Sequence, residues 1–128
     1  MSEGNKCIQY TGYTSGELYR YIFEKRSDLN CYVAYIRGKR CDCDENLFKE
    51  FSSSLQFPDY FGENWAAFDE CMGDMSWLQV QKCLIVIDNG KMFLQFDKKN
   101  EGIYLKYLNL AFHERDFDSP ALEIVINM

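Results

Sequence analysis

The sequence predicts an α/β domain with a small, mainly parallel β-sheet packed with helices. Three observations lead there. Short runs rich in branched aliphatic and aromatic residues recur at 31–36 (CYVAYI), 83–87 (CLIVI) and 122–126 (LEIVI). Stretches with apolar residues at helical spacing lie between them. The run CLIVI is apolar throughout, as a strand covered on both faces must be. Strands that alternate with helices need crossover connections, and these give a parallel sheet. At 128 residues, with 47% hydrophobic residues and 2 prolines, the chain is expected to form one domain over 1–128. A chain of this size buries roughly two thirds of its unfolded surface, so it needs neither disulfide nor metal staples.

Taken in order, a short strand is expected near 7–10, then a helix over 15–25 with Ser15 as N-cap and Leu18, Tyr21 and Ile22 facing inward. The strand 31–36 should stop at Gly38. Asp44 is placed to cap a helix, DENLFKEFSSSL, whose Leu47, Phe48, Phe51 and Leu55 recur at helical spacing before Pro58 ends it. Between the last two strands, one long helix is expected over 101–115, with Tyr104, Tyr107, Leu108, Ala111 and Phe112 on one side.

Twenty acidic residues against 14 basic ones give a net charge of −6. That balance excludes nucleic acid as a partner, because affinity for phosphate backbones comes from Lys and Arg. It favours steered encounter with a basic protein. The N-terminus has no basic segment followed by an apolar run, and no stretch approaches the length of a membrane span. A cytoplasmic protein is therefore expected, with Cys7, Cys31, Cys41, Cys43, Cys71 and Cys83 as thiols, mostly serving as small buried hydrophobes. Cys41 and Cys43 form the one close pair. They lack further ligands nearby, so no metal and no cofactor are expected.

The informative segment is 59–74, DYFGENWAAFDECMGD, with five carboxylates and no Lys or Arg. If 64–73 is helical, Trp65, Phe68, Cys71 and Met72 share an apolar side, while Glu63, Ala66, Glu70, Gly73 and Asp74 share a wet one. Tyr60 and Phe61 are expected to be exposed beside it. The small residues Ala66 and Gly73 flank Glu70 and would let another surface approach. Like charges on one face lack the i,i+4 pairing with Lys that merely stabilises a helix. A solvated helix face is the competing reading.

Catalytic materials are thin. His113, the only histidine, falls near a helix end, and Cys71 lies on an apolar face that raises a thiol pKa. Asp69 and Glu70 diverge by about 100° on a helix, which rules out a shared dyad. Gly12, Gly16 and Gly38 have no phosphate-loop spacing. No enzyme is expected.

The run FPDYFGENWAAFDEC, followed by MSWLQ and CLIVIDN, resembles the signature of the barstar family of intracellular ribonuclease inhibitors. The resemblance covers 30–128 and leaves 1–29 as an additional N-terminal strand-helix unit. It implies a parallel-sheet domain that docks a loop and helix into the active site of a basic nuclease, as an immunity protein that neutralises a cognate ribonuclease or related toxin. Tyr60, Gly62 and Asn64 match family contact positions, and Glu70 falls where the central inhibitory carboxylate lies. Glu70 replaces the aspartate of the founding member, and Ala66 stands where an aspartate is common. Glu114 and Asp118 align with further acidic contacts. The expected partner-binding set is thus Tyr60, Gly62, Asn64, Ala66, Glu70, Gly73, Asp74, Glu114 and Asp118. A carboxylate on a rigid helix can accept charge-assisted bonds from groups that otherwise hold a phosphate. The alternative is a non-inhibitory interaction or regulatory module on the same scaffold, permitted by Ala66 and by the extra N-terminal unit.

Overall fold

The central strand explains the layering. A computed structural model describes residues 8–128, and in it β3 (Lys82–Asp88) carries five consecutive buried residues, Cys83 to Ile87. Such a strand needs cover on both faces. On one side Cys83, Ile85 and Ile87 join Ala34, Ile36, Ile124 and Ile126 beneath helices α2 to α5. On the other, Leu84 and Val86 pack with Val33 and Val125 under Leu18 and Ile22 of α1. The period-two alternation of a pleated strand sorts these residues to their two sides.

The elements run β1 (Ile8–Thr11), α1 (Ser15–Arg26), β2 (Cys31–Arg37), α2 (Asp44–Leu55), α3 (Trp65–Asp74), β3, α4 (Gly90–Lys99), α5 (Ile103–His113) and β4 (Ala121–Asn127). Short 3-10 turns fill Gly38–Arg40 and Ser76–Leu78. The sheet order is β1-β4-β3-β2 and every pairing is parallel. The α/β class is as expected, with the sheet wholly parallel. The expected strand began at Cys7, which lies outside the described residues.

The N-terminal strand-helix unit extends the sheet. β1 adds to the free edge of β4, pairing Ile8 with Ile124 and Tyr10 with Ile126. Asn127, buried at the end of β4, fastens it with its whole amide. Its Oδ1 accepts from Thr11 Oγ1 at 2.8 Å and from the Tyr13 N–H at 2.7 Å, and its Nδ2 donates to the Tyr13 carbonyl and to Asp88 Oδ1. At the opposite edge β2 is shielded by side chains. Arg26 Nη2 donates to the Val33 carbonyl, Ser54 Oγ to the Tyr35 carbonyl, and the Arg37 N–H to Glu50 Oε2. Backbone groups answered in this way offer no template for pairing with another chain.

Three local expectations are corrected. The N-cap of α1 is Thr14, not Ser15. Thr14 Oγ1 accepts from the Glu17 N–H at 3.2 Å while Glu17 Oε1 accepts from the Thr14 N–H at 2.9 Å, a reciprocal capping box. The N-cap of α2 is Cys43, and Asp44 is the first helical residue, free to accept a bond from Trp65. The single helix expected over 101–115 is the second of two, because α4 precedes it. Glu101 and Gly102 have φ of 60° and 78°, which breaks the helical path. Asp97 of α4 then caps α5, its Oδ1 accepting from the N–H groups of Tyr104 and Leu105 at 2.8 and 3.2 Å.

Candidate functional site

The loop before α3 is built by its own backbone demands. The Phe61 N–H donates to the Pro58 carbonyl, Glu63 adopts a left-handed φ of 51°, and Asn64 caps the helix by accepting from the Ala67 N–H at 2.8 Å. Asn64 Nδ2 also donates to the Gly62 carbonyl, and a Cβ on Gly62 would stand 3.2 Å from that nitrogen. Gly62 and Asn64 therefore shape the loop, whatever else they contact. Aromatic packing anchors it from below. Phe61 is half-buried against Phe48 and Phe57, a correction to the expected exposure. Trp65 stacks on Tyr107 at 4.8 Å and donates Nε1–H to Asp44 Oδ2 at 3.0 Å.

The helical phase is as expected on the apolar side, with Phe68, Cys71 and Met72 buried. Burial, and after it the charges of Glu70 and Asp74, push the Cys71 thiol up to about 11, so it is no nucleophile at neutral pH. On the outer side Ala66 and Glu70 are exposed, as is the preceding Glu63. Tyr60 is 65% exposed. Loss of hydration, followed by Cys71, Asp74 and Glu70, raises its phenol above the ordinary value. Asp74 and Glu70 are thus near enough for their charges to act on the Tyr60 phenol.

Two of the expected residues are partly used by the fold. Gly73 is half-buried, and a Cβ there would come within 3.1 Å of the Glu114 carbonyl, so its small size serves packing inside the chain instead of an open landing place. Asp74 is also half-buried, and its Oδ1 accepts from the Ser76 N–H at 3.1 Å.

The same packing brings the sequence-distant acids into place. The last carbonyls of a helix have no partner within it. In α3 the Met72 carbonyl receives Arg115 Nη1–H at 2.6 Å and the Gly73 carbonyl receives Ser119 Oγ–H at 2.9 Å. Arg115 also donates to the carbonyls of Ala111 and Pro120. The segment carrying the exposed Glu114 and Asp118 is therefore bolted to the C-terminal end of α3, beside Asp74. Sequence reasoning missed Arg115 and Ser119. The one available signal was a lone arginine amid the acids of HERDFD. Burial lowers the pKa of the Arg115 guanidinium against the opposing charges of Cys83, Asp116 and Asp74; its Nε and Nη1 donate to carbonyls, while its buried Nη2 has no partner among the described residues. The surface that results presents carboxylates from a loop, a helix and a second loop, with no lysine from 59 to 74 or from 107 to 128. Chemically it can accept hydrogen bonds from several cationic groups at once.

Other candidate chemistries lie apart from this surface. Cys41 is buried, its thiol pushed up to about 12 mainly by that burial, whereas Cys43 is exposed at the start of α2. His113 is the exposed last residue of α5, edge-on to Phe112 at 5.3 Å. Among the described residues no helix is long and apolar enough to cross a membrane, and no cluster of three or more His, Cys, Asp or Glu could hold a metal ion.

Comparison with curated proteins gives no match. A protein-family model described as Barstar (barnase inhibitor) matches residues 31–124, the span from the first residue of β2 to the middle of β4. That span contains the loop, α3 and the bolted acidic segment in one continuous match, and on it the chain belongs to the Barstar family.

Proposed function

We propose that this protein binds and blocks the active site of a cognate basic ribonuclease or related toxin, and that it does so in the cytoplasm as an immunity protein. The observation that carries the reading is that Arg115 and Ser119, bonded to the Met72 and Gly73 carbonyls, hold the segment bearing the exposed Glu114 and Asp118 against the C-terminal end of α3, whose own acids are Glu70 and Asp74. Such an arrangement costs folding stability through like-charge repulsion, and a cationic cleft would relieve that repulsion on binding. Glu70 would stand in for a phosphate. Tyr60, Gly62, Asn64 and Ala66 would supply the surrounding contact, and residues 30–128 would form the inhibitory body with 1–29 appended to it. No catalytic role is assigned to any residue.

Ala66, exposed where the family commonly carries an acid, favours a second reading in which the scaffold binds a partner without inhibiting it. Cleavage of RNA separates the two. Basic nucleases captured from lysate and culture medium by wild-type protein are assayed on a fluorogenic RNA, with a Glu70→Lys bait in parallel. Inhibition by the wild type and not by the variant supports the proposal. Binding without inhibition supports the second reading, and equal capture by both baits removes Glu70 from the interface.

A further inference from the structure

The turn that follows α5 is clamped on both sides. The Ser119 N–H donates to the Asp116 carbonyl at 3.1 Å and closes a β-turn with Phe117 and Asp118 at its tip. Arg115 Nε reaches across the feet of the turn to the Pro120 carbonyl at 2.7 Å, while Arg115 Nη1 and Ser119 Oγ hold both feet to carbonyls of α3. Yet Phe117 at the tip is 101% exposed, as open to water as in an extended chain, and it joins neither hydrophobic cluster. Exposed apolar side chains scattered singly need no explanation. A phenylalanine fixed at the tip of a clamped turn, with the ordering of its backbone already supplied by the fold, is placed as a binding anchor.

We infer that Phe117 is an aromatic anchor of the acidic surface and that it takes an arginine of the partner on its ring face. As one contact of the interface proposed above, it rests on that reading. Charge selects the occupant. Phe117 stands between Asp116 and Asp118 in the chain, with Glu114 just before them, and all three acids are exposed. None of the three forms a salt bridge among the described residues. An apolar pocket that buried the ring would draw these carboxylates out of water without compensation. A second copy would set acid against acid, and nucleic acid or an anionic membrane would be repelled for the same reason. A guanidinium meets both demands, because its flat face packs on the ring and its N–H edge donates to carboxylates beside it. The compact, strongly hydrated ammonium of lysine does this less well.

The test titrates the full chain with hexa-arginine and, separately, hexa-lysine peptides, following the Phe117 ring resonances by NMR, and repeats the titrations with Phe117→Leu and Phe117→Trp. Hexa-arginine is expected to bind about threefold more tightly than hexa-lysine, with the preference kept by Phe117→Trp and lost in Phe117→Leu, which retains apolar area without a ring. All variants should melt like wild type, since the side chain is fully exposed. Against a purified basic nuclease identified by capture, Phe117→Leu should bind about thirtyfold more weakly than wild type, because the contact is then desolvated. Equal binding of the two peptides, or an arginine preference that survives in Phe117→Leu, overturns the inference and leaves the nuclease reading standing on Glu70. An arginine preference that depends on the ring, in a chain that inhibits no nuclease, supports the Phe117 contact and overturns the nuclease reading instead.

Discussion

Arg115 Nη1 donates to the Met72 carbonyl at 2.6 Å across 43 positions of sequence, and this bond holds the two halves of the acidic surface in register. With Ser119 on the next carbonyl, it satisfies the end of α3 and sets the height at which Glu114 and Asp118 stand beside Asp74. A cation here serves to arrange anions.

Replacement of Arg115 by Met should therefore act on both stability and binding. Three carbonyls lose a charged donor, and at about 1.5–3 kcal/mol per such bond, with strong non-additivity, a total loss of about 3 kcal/mol is expected in urea unfolding. Target affinity should fall further than the same change in stability produces at a position remote from α3. An unchanged urea midpoint would remove the bolt.

Glu70 and Glu63 should separate cleanly. Glu70→Lys is expected to abolish binding to the captured nuclease while the thermal midpoint moves by no more than about two degrees, because the residue is exposed. Glu63→Gln, at the rim, should slow association several-fold at low salt and leave dissociation nearly unchanged. Surface-binding kinetics at two ionic strengths decide this, and a large change in dissociation for Glu63→Gln would place it at the centre instead.

Phe68 is 1% exposed and meets Phe48, Phe51, Phe57, Trp65 and Tyr107 with centroid distances from 5.3 to 6.5 Å. Phe68→Ala should cost about 3–5 kcal/mol by chemical denaturation, since so crowded a site cannot close over the cavity.

The Asn127 amide predicts a regional effect. Asn127→Ala removes three bonds that tie the segment 11–13 to β4 and a fourth to Asp88 of β3, at a cost of about 2–3 kcal/mol. Hydrogen exchange should accelerate in β1 and α1 before it does so in β3. Uniform acceleration would mean that the N-terminal unit does not open separately.

Acid sensitivity should come partly from Glu50 and Asp88. Burial by itself would raise Glu50, but the side-chain and backbone donors of Arg37 outweigh it and lower its pKa from the ordinary 4.5. Asp88 is likewise raised by burial and then brought below its ordinary 3.8 by Tyr35, the Asn89 N–H and Asn127. For a carboxylate depressed in the folded state, the stabilisation is complete above the unfolded pKa and is lost as pH falls through the folded one. Unfolding free energy should decline as pH drops below about 4. The stability gap between wild type and Glu50→Gln should narrow over that range, and a constant gap would contradict the assignment.

By itself the sequence determined the α/β class, the strands around CYVAYI, CLIVI and LEIVI, and the phase of α3, because each rests on a local period imposed by backbone geometry. It also carried the family signature, since the loop into α3 is made by residues adjacent in the chain. Helix α4 was missed although Phe93 and Asp97 are buried at helical spacing, because it starts on Asn89 with a left-handed φ of 53° and no side-chain cap bond, which leaves no start signal in the sequence. Only the tertiary structure decided that Gly73 is packed by the Glu114 carbonyl, that Phe61 turns inward, and that Arg115 joins the acidic segments. Those outcomes depend on which backbone groups lack partners after the helices have docked, and no periodicity along one segment encodes the needs of another.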